Sequence, residues 1–291
     1  MMVQSKAARL RRAIIAWVTV ALFVFPLYYW ITVAFKNGRD IFNQPPKVFN
    51  FSPTVANFQE VFGVSFGLPR NEVLAGGGDF FMAPHLWSSV VIAVFSTILA
   101  VAIATLASYA LSRIYFRGRH HFVNWVLSTR MMPPVAIAIP MFFIYKDLSL
   151  LDTYLGMILI HALMNLPLAV LMLKSFFDDI PTEIDESALI DGASRWKIFR
   201  RIIFPMAKGG VAATAVLCFV FSWTEFLFAL TLTQTSLKTV PVVSSTFVTS
   251  VGTAWGNMAA LGTAAMVPAF IFILLVQKQL VRGLTLGSLK Q

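Results

Sequence analysis

The sequence predicts an all-α integral membrane protein with six transmembrane helices. Three observations carry that prediction. Of the 291 residues, 58% are hydrophobic and 12% are charged, whereas a soluble domain is nearer half apolar and about a quarter charged. No core of this size hides such an excess, so lipid is the solvent. The apolar residues also come in runs of roughly twenty, the length that crosses about 30 Å of hydrocarbon. Finally, the basic residues gather in short connections between the runs. A net charge of +10 suggests nucleic acid at first sight, but this distribution is the positive-inside pattern of a membrane protein.

Met1 to Arg12 is a basic arm with Lys6, Arg9, Arg11 and Arg12. Ala13 to Phe35 carries no charge and forms the first span. Its apolar run is too long for a cleaved signal peptide, and no small-x-small site follows it. Lys36 to His85 is a polar connection containing Pro45, Pro46, Pro53, Pro69 and Gly76 to Gly78, expected to fold partly on itself outside. Leu86 to Leu111 is the second span, and Ser112 to His121 is a tight basic turn. Phe122 to Tyr145 is the third, with Arg130 inside it and interruptions at Pro133, Pro134 and Pro140. Tyr154 to Leu173 is the fourth, with His161, Asn165 and Pro167. Gly209 to Leu232 is the fifth, with Glu225. Gln234 to Asn257 is polar, Met258 to Val276 is the sixth span, and a basic tail follows. In domain terms this gives residues 1–35 as arm and first helix, 36–85 as outer loop, 86–280 as the five-helix core and 281–291 as tail.

Six spans place both termini on one side. Sixteen Lys and Arg lie on the side of the termini, against six in the opposite connections. Both termini, and the 178–208 connection, are therefore expected in the cytoplasm. The single cysteine, Cys218, lies in an apolar run and makes no internal disulfide.

Between the fourth and fifth spans lies the most charged stretch of the chain. Six of the thirteen acids fall between Asp178 and Asp191, followed by Arg195, Lys197, Arg200, Arg201 and Lys208. Thr182 with Asp185 three residues on is close to a capping box. Glu183, Asp185 and Glu186 favour the positive end of a helix dipole. Ile180, Ile184 and Ala188 share a face. Gly192 ends that helix in the left-handed conformation open to glycine. Ser194 caps a second helix in which Trp196, Phe199 and Ile203 share a face. Two short helices joined by a glycine elbow result. On composition alone, such a segment either rests on the lipid surface or docks in a groove on a partner.

The elbow resembles the EAA loop of ABC importer permeases. Glu186, Ser187 and Ala188, then three residues, Gly192, nine residues, Ile202, one residue, Phe204 and Pro205 follow that pattern. The departures are Ser187 for Ala and Phe204 for Leu. Trp223 to Phe228 is similar to the W-N-E-[FY]-L-F segment of carbohydrate importers, with Thr224 in place of Asn. Arg130 to Pro134 is similar to their R-M-x-P-P. Residues 238–255 and 281–290 also look like that group. The resemblance implies the MetI-like ABC permease fold and, within the family, the smaller permease of the maltose type. It implies a cytoplasmic coupling helix, with Glu186, Ser187, Ala188, Asp191, Gly192, Ile202 and Pro205 serving ATPase coupling, and Glu186, Ala188 and Gly192 at the ATPase contact. The implied partners are a second permease in a heterodimer, an ATPase dimer that binds ATP and magnesium, and a periplasmic or lipid-anchored sugar-binding protein. No cofactor is implied for this chain, and its location would be the bacterial inner membrane.

The sequence holds no G-x-x-x-x-G-K-[ST] loop, zinc-spaced Cys/His set or G-x-S-x-G elbow, so hydrolysis of ATP belongs to another subunit. His85, His120 and His121 lie at membrane edges. Glu225 and Arg130 are the charges within spans, where charge is costly and faces a cavity or partner. Trp223, Glu225, Asn165 and Arg130 are candidates for a substrate path. Structural pairing and a simple kink at Pro167 are the bland alternatives. A direct Glu225–Arg130 pair conflicts with depth, about 24 Å against about 12 Å into their spans. An ion-coupled secondary transporter using those two charges, or a membrane enzyme acting on lipid, are the competing functions. The first leaves the elbow unexplained and the second lacks a nucleophile or metal set.

Overall fold

The computed structural model describes residues 6–63, 81–250 and 252–287, with side chains from 10 to 277 within them. The chain divides into two compact units, Met1–Ala83 with Ser244–Met266, and Pro84–Val243 with Val267–Gln291. Residues 244–266, which sequence order assigns to the 86–280 core, thus go with the N-terminal unit.

The first unit opens with α1 (Lys6–Ala34). Its length follows from an uncharged run after Arg12, and Ile14, Trp17 and Phe23 face outward, as on a helix bathed in lipid. Two short helices follow, α2 (Gly38–Ile41) and α3 (Ala56–Phe62). Asn57 on α3 donates to Ala34 O and Lys36 O, both at 2.9 Å. It thereby satisfies carbonyls left open where α1 ends. Lys36 is 1% exposed, with its ammonium 4.6 Å and 4.9 Å from the ring centres of Tyr29 and Phe51. Burial lowers its pKa against the opposing pull of Asp40. The described part of the 36–85 connection is therefore folded on itself. Its Pro69 and Gly76–Gly78 lie outside the described residues. In the same unit β1 (Val248–Thr249) pairs antiparallel with β2 (Gly252–Thr253). Beyond them Asn257 donates to Glu60 at 3.1 Å.

The second unit runs through α4 (Ala83–Arg113), α5 (Arg119–Thr129), α6 (Pro134–Asp147) and α7 (Tyr154–Asp178). It continues with α8 (Glu183–Ile190), α9 (Arg195–Ile198), a π-helical turn (Phe199–Ile203), α10 (Phe204–Met206) and α11 (Lys208–Trp223). Then come α12 (Leu227–Leu232), α13 (Val240–Ser245), which ends just past the unit boundary, and the part of α14 (Trp255–Gly287) from Val267 on. Two apolar clusters occupy opposite ends of α4 and α7. One gathers Leu111, Leu173, Phe177, Ile198 and Ile203. The other gathers Ile92, Tyr145, Ile160, Phe228 and Leu232.

Four of the described helices are individually long and apolar enough to cross a membrane, or up to six if each of two bent pairs, Arg119–Thr129 with Pro134–Asp147 and Arg195–Met206 with Lys208–Trp223, counts as one span. The third span is not one rod. Its halves α5 and α6 meet at 93°, because Pro133 and Pro134 have no N–H to give and Pro134 starts a new helix. The fifth span also stops early, at Trp223. Glu225 accepts from Phe228 N and Ala229 N at 2.8 and 3.0 Å and so caps α12 as a separate helix. Pro167, by contrast, lies inside an unbroken α7 that extends to Asp178, five residues past the predicted end.

Where α6 turns into α7, Asp152 has φ 57°. Its carboxylate accepts from the N–H groups of Gln234, Thr235, Ser236 and Leu237 and from the Ser236 hydroxyl, at 2.8–3.3 Å. Burial pushes this carboxyl up, but hydrogen bonds from Gln234, Ser236 and Leu237 outweigh that and hold it at about 2. Asp152 therefore pins the segment after α12 to the turn before α7.

Candidate functional site

The elbow forms as the local sequence dictates, with one exception. Gly192 takes φ 77°. Its N–H donates to Leu189 O and the N–H of Ala193 to Ala188 O, each at 3.0 Å, the paired closure of a Schellman motif. Ser194 Oγ accepts from Lys197 N at 3.4 Å and starts α9. The exception is the expected capping box. Thr182 has helical φ and ψ and makes no side-chain cap, since a cap needs extended backbone at that residue. Asp185 is instead committed to Arg113, 2.9 Å away.

After α9 the chain widens into the π-helical turn, closed by Phe204 N donating to Phe199 O. This extra residue lets Ile198, Phe199 and Ile203 all face the core while Arg200 and Arg201 stay exposed. Trp196 departs from the predicted shared face. It is 61% exposed, although its ring lies 5.3 Å from that of Phe199.

The surface of the elbow is therefore mixed. Glu186, Ser187, Asp191, Gly192 and Pro205 are exposed, and Ile202 is half-buried. Ala188 is buried among Phe177, Ile180 and Ile198. It supports the elbow from within and does not lie on an outer contact face, a correction to the expectation from the motif. The tip carries apolar side chains into the open: Ile190 is 88% exposed and Leu189 39%.

Of the four candidates for a substrate path, Asn165 and Glu225 join a polar seam between α7 and α11, Arg130 reaches α7 from the end of α5, and Trp223 lies in an apolar stack. His161 and Asn165, one turn apart on α7, meet Ser222 and Cys218, one turn apart on α11. Asn165 donates to Cys218 O at 3.2 Å. His161 Nδ1 lies 2.6 Å from Ser222 Oγ, which is 2.9 Å from Ser96 Oγ on α4. The other His161 nitrogen lies 3.5 Å from Glu225. Arg130 reaches Met164 O at 3.3 Å and sits 5.2 Å from the Phe221 ring centre. Among the described residues, the basic side chain beside Glu225 is His161 and not Arg130. Trp223 stacks on Phe219, which stacks on Phe272. Asn165, Glu225 and Arg130 thus each carry a structural bond, and Trp223 a stacking contact. Sequence reading missed His161 and Ser222, and the i, i+4 pairing of His161 with Asn165 was the available signal.

The 281–290 tail, which resembles that of the carbohydrate importers, lies outside the described side chains.

Comparison with known proteins follows this geometry. Residues 100–286 match the family described as binding-protein-dependent transport system inner membrane component. The chain is 32% identical to the trehalose/maltose transport system permease protein MalG of Thermococcus litoralis, over 92% of this chain and 91% of that one. It is 35% identical to the trehalose transport system permease protein SugB of Mycobacterium tuberculosis, over 73% and 78%. Among solved structures it is similar in fold to a chain of a bacterial ABC transporter that imports the acidic polysaccharide alginate. The TM-score is 0.68 at 19% identity, covering 96% of this chain and 99% of that one.

Proposed function

This chain belongs to the family of binding-protein-dependent transport system inner membrane components, and we propose that it carries a sugar or sugar-like solute through an ATP-driven importer. It is a multi-pass membrane permease and not itself an enzyme, because in this family ATP is hydrolysed by a separate subunit. The carbohydrate cargo is supported by the trehalose and maltose permeases to which the chain is similar. In this reading a heterodimer with a second permease forms the path. A periplasmic or lipid-anchored binding protein delivers the solute, and an ATPase dimer holding ATP and magnesium closes beneath. The positive-inside count supports a cytoplasmic position for both termini and the elbow.

The observation that carries the proposal is the bare apolar tip of the elbow, Leu189 and Ile190, set between an acidic helix start and a run of arginines. Such a knob gains by entering an apolar socket on a partner. Glu186, Ser187, Asp191, Gly192 and Pro205 would flank that contact, while Ala188 and Ile202 set its orientation. ATPase closure then displaces the elbow and, through it, the attached helices. Trp223, Glu225, Asn165 and Arg130 border the path in this reading, with the polar seam holding Glu225 and Asn165. The test is sugar uptake by the reconstituted complex. Uptake should require the ATPase subunits. Uptake that persists without them would favour a carrier driven by an ion gradient.

A further inference from the structure

The cytoplasmic-reading end of α4 presents Tyr109, Ser112 and Arg113 at i, i+3 and i+4, one face of the helix. All three reach the corner between α7 and α8. Arg113 Nε lies 2.9 Å from Asp185 Oδ2 of α8, with both side chains largely buried. A second arm of the same guanidinium donates to Ile180 O at 2.7 Å. Ser112 donates to Asp178 at 2.7 Å, and Tyr109 reaches the other Asp185 oxygen at 3.4 Å. The Tyr109 ring is wedged between Phe177 and Phe199, 6.0 and 4.8 Å away. The guanidinium therefore pairs by charge with α8 and hydrogen-bonds the turn that leads into it, two contacts at different atoms that a lysine's single ammonium does not span.

We propose that Arg113 is a positioning residue that makes α4 and α8 move as one body, so that displacement of the elbow is delivered directly to α4. The inference rests on the coupling role assigned to the elbow. Without the clamp, α8 keeps its chain ends into α7 and α11, the apolar packing of Ala188 and the Tyr109 contact, but loses the charged tie that fixes it to α4. With it, a third helix remote in sequence is driven at the same time, and that helix also carries Ser96 of the polar seam.

The test uses the purified complex with its ATPase subunits. Spin labels are placed at Tyr115→Cys and Glu183→Cys, both exposed positions, and distances are measured nucleotide-free and after trapping with ATP and vanadate. The clamp requires that the two distance distributions superimpose. In Arg113→Gln they should separate by about 1–2 Å or more, the scale of helix shifts in such transitions. Arg113→Lys, which keeps the charge beside Asp185, should lie between. A wild-type distance that changes with nucleotide overturns the clamp while leaving the elbow's role standing. So does an Arg113→Gln complex whose distances superimpose as in the wild type. If Arg113→Gln does not assemble, the wild-type pair decides alone. Failure of any ATPase to purify with the wild-type chain would overturn both readings.

Discussion

Replacing Gly192 probes the elbow most directly. At φ 77° a side chain added there would meet no atom within 4 Å, so steric crowding by neighbours is absent and any penalty is that of the backbone. For alanine this is about 1–2 kcal/mol. For asparagine it is smaller, because its short polar side chain tolerates the left-handed region. Proline is different in kind. Its φ is fixed near −65°, about 140° from the native value, and it loses the N–H that now donates to Leu189 O, at a cost of roughly 3 kcal/mol or more. Ala188 on one side and Ile198 and Phe199 on the other are anchored in the core, so strain is relieved by turning the tip and not by unfolding the helices. Reconstituted complexes carrying Asn, Ala and Pro would be compared for ATP hydrolysis and uptake. The expected order is Asn, then Ala, then Pro, with assembled Gly192→Pro complexes losing at least about tenfold in solute moved per ATP. Normal uptake in Gly192→Pro would refute the elbow as a lever.

Other outcomes follow from the rest of the structure. Glu225→Ala strips the caps from Phe228 N and Ala229 N and leaves His161 without its carboxylate. Thermal unfolding in detergent should show a loss of about 1–3 kcal/mol. Gly210→Ala brings a methyl within 2.3 Å of the Phe176 ring and should destabilise by about 1–3 kcal/mol through the α7–α11 packing, read by the same assay. Asp152, held at about 2 and thus below an unfolded carboxyl, contributes stability that is complete above about pH 4. That contribution is lost as pH falls through about 2. Asp152→Ala should melt below the wild type at neutral pH, and the two melting temperatures should converge near the acid end.

How much of this was legible beforehand depends on the range of the forces involved. The six apolar runs and the elbow were readable because hydrophobic length and glycine stereochemistry act locally. The Schellman closure at Gly192 and the cap at Ser194 needed no tertiary information. The break of the third span was visible in its prolines. The early end of α11 was not, because it depends on Glu225 turning back to cap α12, and no sequence rule separates that from a buried ion pair. The capping box failed because Thr182 takes helical φ and ψ, and its other half, Asp185, pairs with Arg113, some seventy positions earlier in the chain. The burial of Ala188 and exposure of Ile190 are likewise tertiary facts, since periodicity shows a face but not what covers it.

The most direct test of the central claim is a photo-cross-linker at Ile190 in membranes containing the complete importer. The account predicts an adduct with the ATPase subunit that is lost when that subunit is omitted. Cross-linking to lipid alone, or labelling of Ile190 from the outer face of sealed cells, would contradict it.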